Sequence, residues 1–168
     1  MKRIEGSFGV KALECANPRL QKWIVRWDFQ PTFLEGEQIG VDYFEKWVTH
    51  KPSMDEIKEI VLGGHNRVID QKILSGFVWK DMEVWLSSEN QFNYKAAYDL
   101  AVMSQGKSLP STFKFGTTEN PVYYTFSTLD DISDFYLSAM VYINGCLTEG
   151  WKQKDSIDWS VYEEALKE

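Results

Sequence analysis

An α+β fold is predicted for this 168-residue chain, with N-terminal antiparallel strands, a helical connector and a C-terminal hairpin-helix-hairpin-helix unit. Three observations predict it. Residues 22–29 and 40–49 alternate apolar and polar side chains with a period of two. Two Ser-led capping patterns, at Ser53 and Ser88, open stretches with helical spacing. Short aromatic runs flank turn residues at 77–86 and again at 112–126. Aromatic residues are 15% of the chain, seven of them Trp, and so many large side chains can fill a sizeable core.

The first strand predicted in detail is 22–29. Trp23, Val25, Trp27 and Phe29 fall on one face, and Ile24, Arg26 and Asp28 on the other. Residues 30–39, with Pro31, Gly36 and no period, read as an extended connection. In 40–49, Val41, Tyr43 and Trp47 share one face, and Phe44 and Val48 the other. The two runs are expected to pair antiparallel, with 3–14 adding a further strand, as an N-terminal β unit over 1–51. Aromatics on both faces suggest that one face meets another domain or another chain.

Residues 52–75 form the connector. Ser53-Met54-Asp55-Glu56 is a capping box, and Ile57, Ile60 and Val61 follow at helical spacing. Gly63-Gly64 is expected to interrupt this helix, and Asn66 to cap its continuation through Val68, Ile69 and Ile73 to Gly76. The C-terminal unit, 76–168, opens with a hairpin. Phe77-Val78-Trp79 and Met82-Glu83-Val84-Trp85-Leu86 are joined at Lys80-Asp81, a tight turn without the usual Gly. Ser88-Glu89-Asn90-Gln91 caps a helix whose apolar stripe is Phe92, Ala96, Leu100 and Met103, closed by Gly106. Residues 112–115 and 121–126 make the second hairpin. The last long helix opens at Ser127 or Thr128 with Asp130 and Asp131 in its first turn. Its stripe is Ile132, Tyr136, Ala139, Ile143 and Leu147, and Gly150 ends it. The tail, with Trp159 and Tyr162, is expected to pack on the body.

The chain offers little reactive chemistry. Eighteen basic against 25 acidic side chains leave a net charge of −7, the wrong sign for a nucleic-acid backbone. No apolar run reaches the roughly 20 residues of a membrane span, and the start lacks an apolar export segment, so a cytoplasmic protein is expected. Cys15 and Cys146 read as reduced thiols. His50 and His65 have no partner at metal-ligand spacing, so no metal and no cofactor is expected. Gly106-Lys107-Ser108 lacks the earlier Gly of a phosphate loop, since position 101 is Ala, and it follows a helix where such a loop precedes one. The carboxylates Asp130, Asp131 and Asp134 suit a helix start, and Asp155 and Asp158 lack calcium-loop spacing. The aromatics remain. Trp23 and Trp27 on one strand face, with Trp47 opposite, could form core, a protein interface or a sugar-stacking surface.

The runs at 77–86 and 88–95, Phe113-Lys114-Phe115-Gly116-Thr117, Gly150-Trp151 and 154–159, with Arg26-Trp27-Asp28-Phe29 and Lys51-Pro52-Ser53 upstream, together resemble an uncharacterised domain family of phage and prophage tail gene regions in gut bacteria. The order of elements in the second half is similar to that of the C-terminal domain of tail-fibre assembly-like proteins, and the resemblance spans about residues 20–165. Its shared motifs are turns, caps and core aromatics, and it supplies no catalytic residue. It implies a non-enzymatic role by protein–protein contacts, as virion component or assembly factor. The implied partners are other tail proteins or a second copy, and the implied location is the cytoplasm, or the virion after assembly. The expected contact residues are Trp23, Trp27 and Trp47, with Tyr94 and Tyr98 off the apolar stripe of their helix. The alternative is a carbohydrate-binding module that uses an exposed Trp face.

Overall fold

Strands gather at the N-terminus, as the alternation predicts. In the computed structural model, which describes residues 2–167, a four-stranded antiparallel sheet has the order β1-β4-β3-β2. Its strands are β1 (Ile4–Gly6), β2 (Leu13–Asn17), β3 (Lys22–Leu34) and β4 (Glu37–Val48). Then follow α1 (Met54–Ser75), the hairpin β5 (Phe77–Trp79) and β6 (Met82–Val84), α2 (Ser88–Met103), the hairpin β7 (Ser111–Gly116) and β8 (Pro121–Phe126), α3 (Leu129–Asp155) and α4 (Ser160–Lys167). The α+β class holds.

The connection between β3 and β4 is two residues long, whereas the aperiodic stretch 30–39 predicts about ten. Glu35 and Gly36 both take positive φ, 50° and 87°. That turn geometry matches the right-handed twist of a hairpin, so pairing continues to the tip, with Leu34 opposite Glu37. β3 also bulges. Trp27 pairs with Phe44 and Gln30 with Asp42, leaving Asp28 and Phe29 opposite one residue. Asp28 sits at φ 57°, and the face alternation predicted for 22–29 breaks there.

The chain divides into two units. The first holds the residues up to Val68 together with those from Lys152 on, and the second holds Ile69–Trp151. The boundaries differ from the expected 51 and 75, because α1 is shared. Ile57, Ile60 and Val61 pack on Leu13, Val25, Trp27, Phe44 and Val48 of the sheet, whereas Ile69 and Ile73 further along the helix join the core of the second unit. The tail also belongs to the first unit. Tyr162 is buried in the same cluster and donates its hydroxyl to the carbonyl of Arg26 at 2.6 Å.

The cap of α1 forms as predicted, with Ser53 Oγ accepting from the N–H of Glu56 at 3.2 Å. The Glu56 carboxylate turns instead to His50 Nε2, 2.7 Å away. Gly63-Gly64 does not interrupt the helix. A Cβ at Gly64 would lie 2.6 Å from Trp27 Nε1, so its bare backbone is what lets the indole lie against α1. Packing of the flanking turns outweighs the roughly 1 kcal/mol of propensity that each Gly costs. Gly150 does not end α3 for a similar reason. Ile69 fills the space beside it, and the helix runs on to Asp155.

The second unit is built around Phe135. Its ring centroid lies 5.0–5.2 Å from those of Trp79, Tyr94, Phe115 and Phe126. Trp79 donates Nε1–H to Asp134 at 3.0 Å. Both predicted hairpins form, with Phe77 opposite Val84 in the first and Phe115 opposite Val122 in the second. Lys80 and Asp81 take φ 47° and 61°, the primed turn without Gly. Lys80 Nζ reaches Asp131 at 2.6 Å and the Tyr124 hydroxyl at 3.0 Å, so the turn is tied to β8 and to the start of α3.

Candidate functional site

α2 is turned over relative to the sequence reading. Its first cap is Ser87, one residue before the predicted Ser88, with Ser87 Oγ accepting from the N–H of Asn90 at 3.2 Å. The predicted core stripe faces water. Phe92 is 71% exposed, Leu100 56% and Met103 82%, and Ala96 is exposed between them. The buried residues of α2 are Tyr94 and Ala101, with Ala97 packed beside them. Two apolar stripes compete on this helix. The one holding Tyr94 goes inward because its ring meets Phe113, Phe115 and Phe135 edge-on at 5.0–6.0 Å.

Burial pushes the Tyr94 phenol up to about 12. Tyr94 is therefore core, and its predicted role as a surface contact is corrected. Tyr98 is half-buried and stacks on Tyr136 of α3, centroids 4.5 Å apart. α3 repeats the pattern. Ile132, Phe135, Ala139, Ile143 and Cys146 face inward, while Leu137, Met140 and Val141 are exposed on the far side of the helix. Lys95 and Asp99 edge the α2 stripe and pair with each other at 2.6 Å.

The three predicted tryptophans do not share a surface. Trp27 is 2% exposed, in the core with Val25 and Phe44, and is likewise corrected as a contact residue. Trp23 is half-buried on that same face, under the Lys51 ammonium at 5.4 Å. Trp47 pairs across from Ile24 on the opposite face and is 53% exposed. A second exposed apolar group sits on the β3–β4 hairpin beyond the part that β1 and β2 cover, in Phe33, Leu34 and Ile39.

The first unit also holds a cavity of about 550 Å³, lined by the Asp28 bulge, Trp27, His65 of α1, Gln153, Asp158 and Tyr162 among others. His65 is 6% exposed, and its Nε2 makes no hydrogen bond. Burial pushes its pKa below the usual histidine range, against the pull of Asp28, so the ring is neutral near pH 7. Asp28 is the reverse case. Burial would raise it, but bonds from Gln30 at 3.0 Å and Arg3 at 2.6 Å hold it below the usual carboxylate range. Asp158 accepts from Ser160 N and Oγ at 3.0 and 2.6 Å. Both acids are thus engaged, and no hydrogen bond joins His65 to a nucleophile among the described residues. No cluster of three or more potential metal ligands occurs among those residues. No helix there is long and apolar enough to cross a membrane.

The chain matches no protein-family model, no curated protein and no solved structure.

Proposed function

We propose that this is a non-enzymatic phage-tail-associated protein that works through protein–protein contacts, as a virion component or a tail-fibre assembly factor. The observation that carries the contact part is the outward stripe of α2. A helix that turns Phe92, Leu100 and Met103 to water keeps apolar area ready for a partner, since monomers seldom leave such side chains contiguous. The tail setting rests on the resemblance drawn from the motifs at 77–95 and 113–117. Co-expression with the neighbouring tail gene products tests the reading. The wild type is expected to co-purify with at least one, and Phe92→Glu to lose it. Recovery of the chain alone from every pair would sink the proposal.

A second reading, carbohydrate binding, is favoured by a different indole. Trp85, half exposed, borders an open cavity of about 410 Å³ with Glu83, Lys114, Thr117 and Thr118. An exposed ring beside charged and hydroxyl groups suits a sugar, one for stacking and the others for its hydroxyls. Indole fluorescence that responds to oligosaccharides in the wild type but not in Trp85→Ala would support it. No response to any oligosaccharide would remove it.

A further inference from the structure

We propose that the outward stripe of α2 is covered by α2 of a second copy of this chain, the two helices running antiparallel about a twofold axis near residues 97 and 98. The proposal rests on reading that face as a contact surface, and it names the partner. Sixteen residues make α2 about 24 Å long, and the stripe from Phe92 to Met103 covers about 16 Å of it. Ala96 lies close to the middle, where a small side chain lets two helix axes approach. About such an axis Phe92 comes level with Met103 of the second copy, so the bulky ends of the stripe meet each other.

The charges select this arrangement. Lys95 and Asp99 lie along the same edge of the stripe, one turn apart. In an antiparallel helix pair like edges meet. Lys95 then faces Asp99 of the second copy, and Asp99 faces its Lys95, two complementary pairs made by symmetry. A parallel pair would set this edge against the opposite one, where Glu89 and Asn93 within α2 offer no cation to Asp99. A stable interface takes about 800 Å² from each partner, more than one four-residue stripe provides. α3, held beside α2 by the Tyr98–Tyr136 stack, adds its own outward Leu137, Met140 and Val141.

The test is light scattering on the full chain at about 50 μM, a level that populates a micromolar dimer. The wild type is expected at the mass of two chains, and Leu100→Glu at the mass of one. Asp99→Lys makes the edge wholly cationic and Lys95→Asp makes it wholly anionic. Each alone should weaken self-association about tenfold or more. An equimolar mixture of the two should recover a dimer containing one of each, because the cationic edge now meets the anionic one. A role confined to the 95–99 pair within one helix could not be rescued by mixing. Unchanged circular dichroism in each variant excludes misfolding as the cause. A monomeric wild type overturns the proposal, as does a dimer that Leu100→Glu and both charge variants leave intact. If the wild type is monomeric while Phe92→Glu still abolishes co-purification with a tail product, self-pairing fails and the contact reading stands.

Discussion

Gly63 and Gly64 are neighbours in α1 with opposite surroundings. A side chain on Gly63 would meet open space, whereas one on Gly64 would strike the Trp27 indole. Gly63→Ala is therefore expected to gain about 0.5–1 kcal/mol in chemical denaturation, from helix propensity alone. Gly64→Ala should lose about 1–3 kcal/mol by overpacking. His65, next along, bears on pH dependence. An unfolded histidine titrates near 6.5, and burial holds the folded one lower, with Lys154 and Arg3 adding to that and Asp28 opposing it. Above 6.5 both states are neutral and nothing changes. As pH falls below 6.5 the unfolded chain takes up a proton that folded His65 refuses, so stability drops until the folded group titrates too. Urea midpoints at about pH 7.5 and 5.5 should differ in the wild type, and differ less in His65→Gln. An identical pH difference in both proteins would remove the neutral His65 from this account.

At the scale of elements, the caps and turns decide where each segment begins. Ser87, not Ser88, accepts the free N–H of Asn90 in the first turn of α2, and Gln91 Nε2 donates back to the carbonyl of Leu86 at 2.7 Å. Ser87→Ala is expected to cost about 1 kcal/mol, and Ser88→Ala less than about 0.5, as read by thermal unfolding. Equal effects would mean that the cap is shared. The first hairpin shows how a turn survives without its preferred Gly. Lys80 and Asp81 accept left-handed backbone, and Lys80 is then fixed over the Trp79 ring at 4.3 Å while its ammonium meets Asp131. The outward stripes of α2 and α3 belong to this scale too. Each helix has apolar residues on both sides, and one side alone is used for the unit's own core.

Across the whole molecule, both ends of the chain close the first unit. Strands from the first 50 residues and α4 from the last ten share one core, and the seam includes the buried bond from Tyr162 to the Arg26 carbonyl. Burial also pushes that phenol above its ordinary range, so it keeps its proton and remains a donor at any ordinary pH. Tyr162→Phe leaves the ring and removes the donor. It should cost about 1–3 kcal/mol, since the carbonyl is left unpaired in the interior. Amide exchange should show the loss first in β2 and β3, and unchanged protection there would place the seam elsewhere. The second unit is one uninterrupted stretch, Ile69–Trp151, with its aromatic cluster around Phe135.

Local physics was legible in the chain by itself. Period-two alternation marked β3 and β4, Ser53 marked the start of α1, and aromatic runs around turn residues marked both hairpins, because each is set by neighbours within a few positions. The choice of face on α2 was not legible. The stripes at 92–103 and at 94–101 are both apolar, and only the rings of Phe113, Phe115 and Phe135, from other elements, draw Tyr94 inward and leave Phe92 in water. The same holds for the candidate cavity, where a bulge at Asp28, a histidine at 65 and an acid at 158 meet only after folding. Tertiary structure also decided the fate of Gly64 and Gly150, which read as breaks yet sit where Trp27 and Ile69 need bare backbone. Spacing fixes which side chains share a surface of an element, whereas the packing energy of remote aromatic partners decides which surface is hidden.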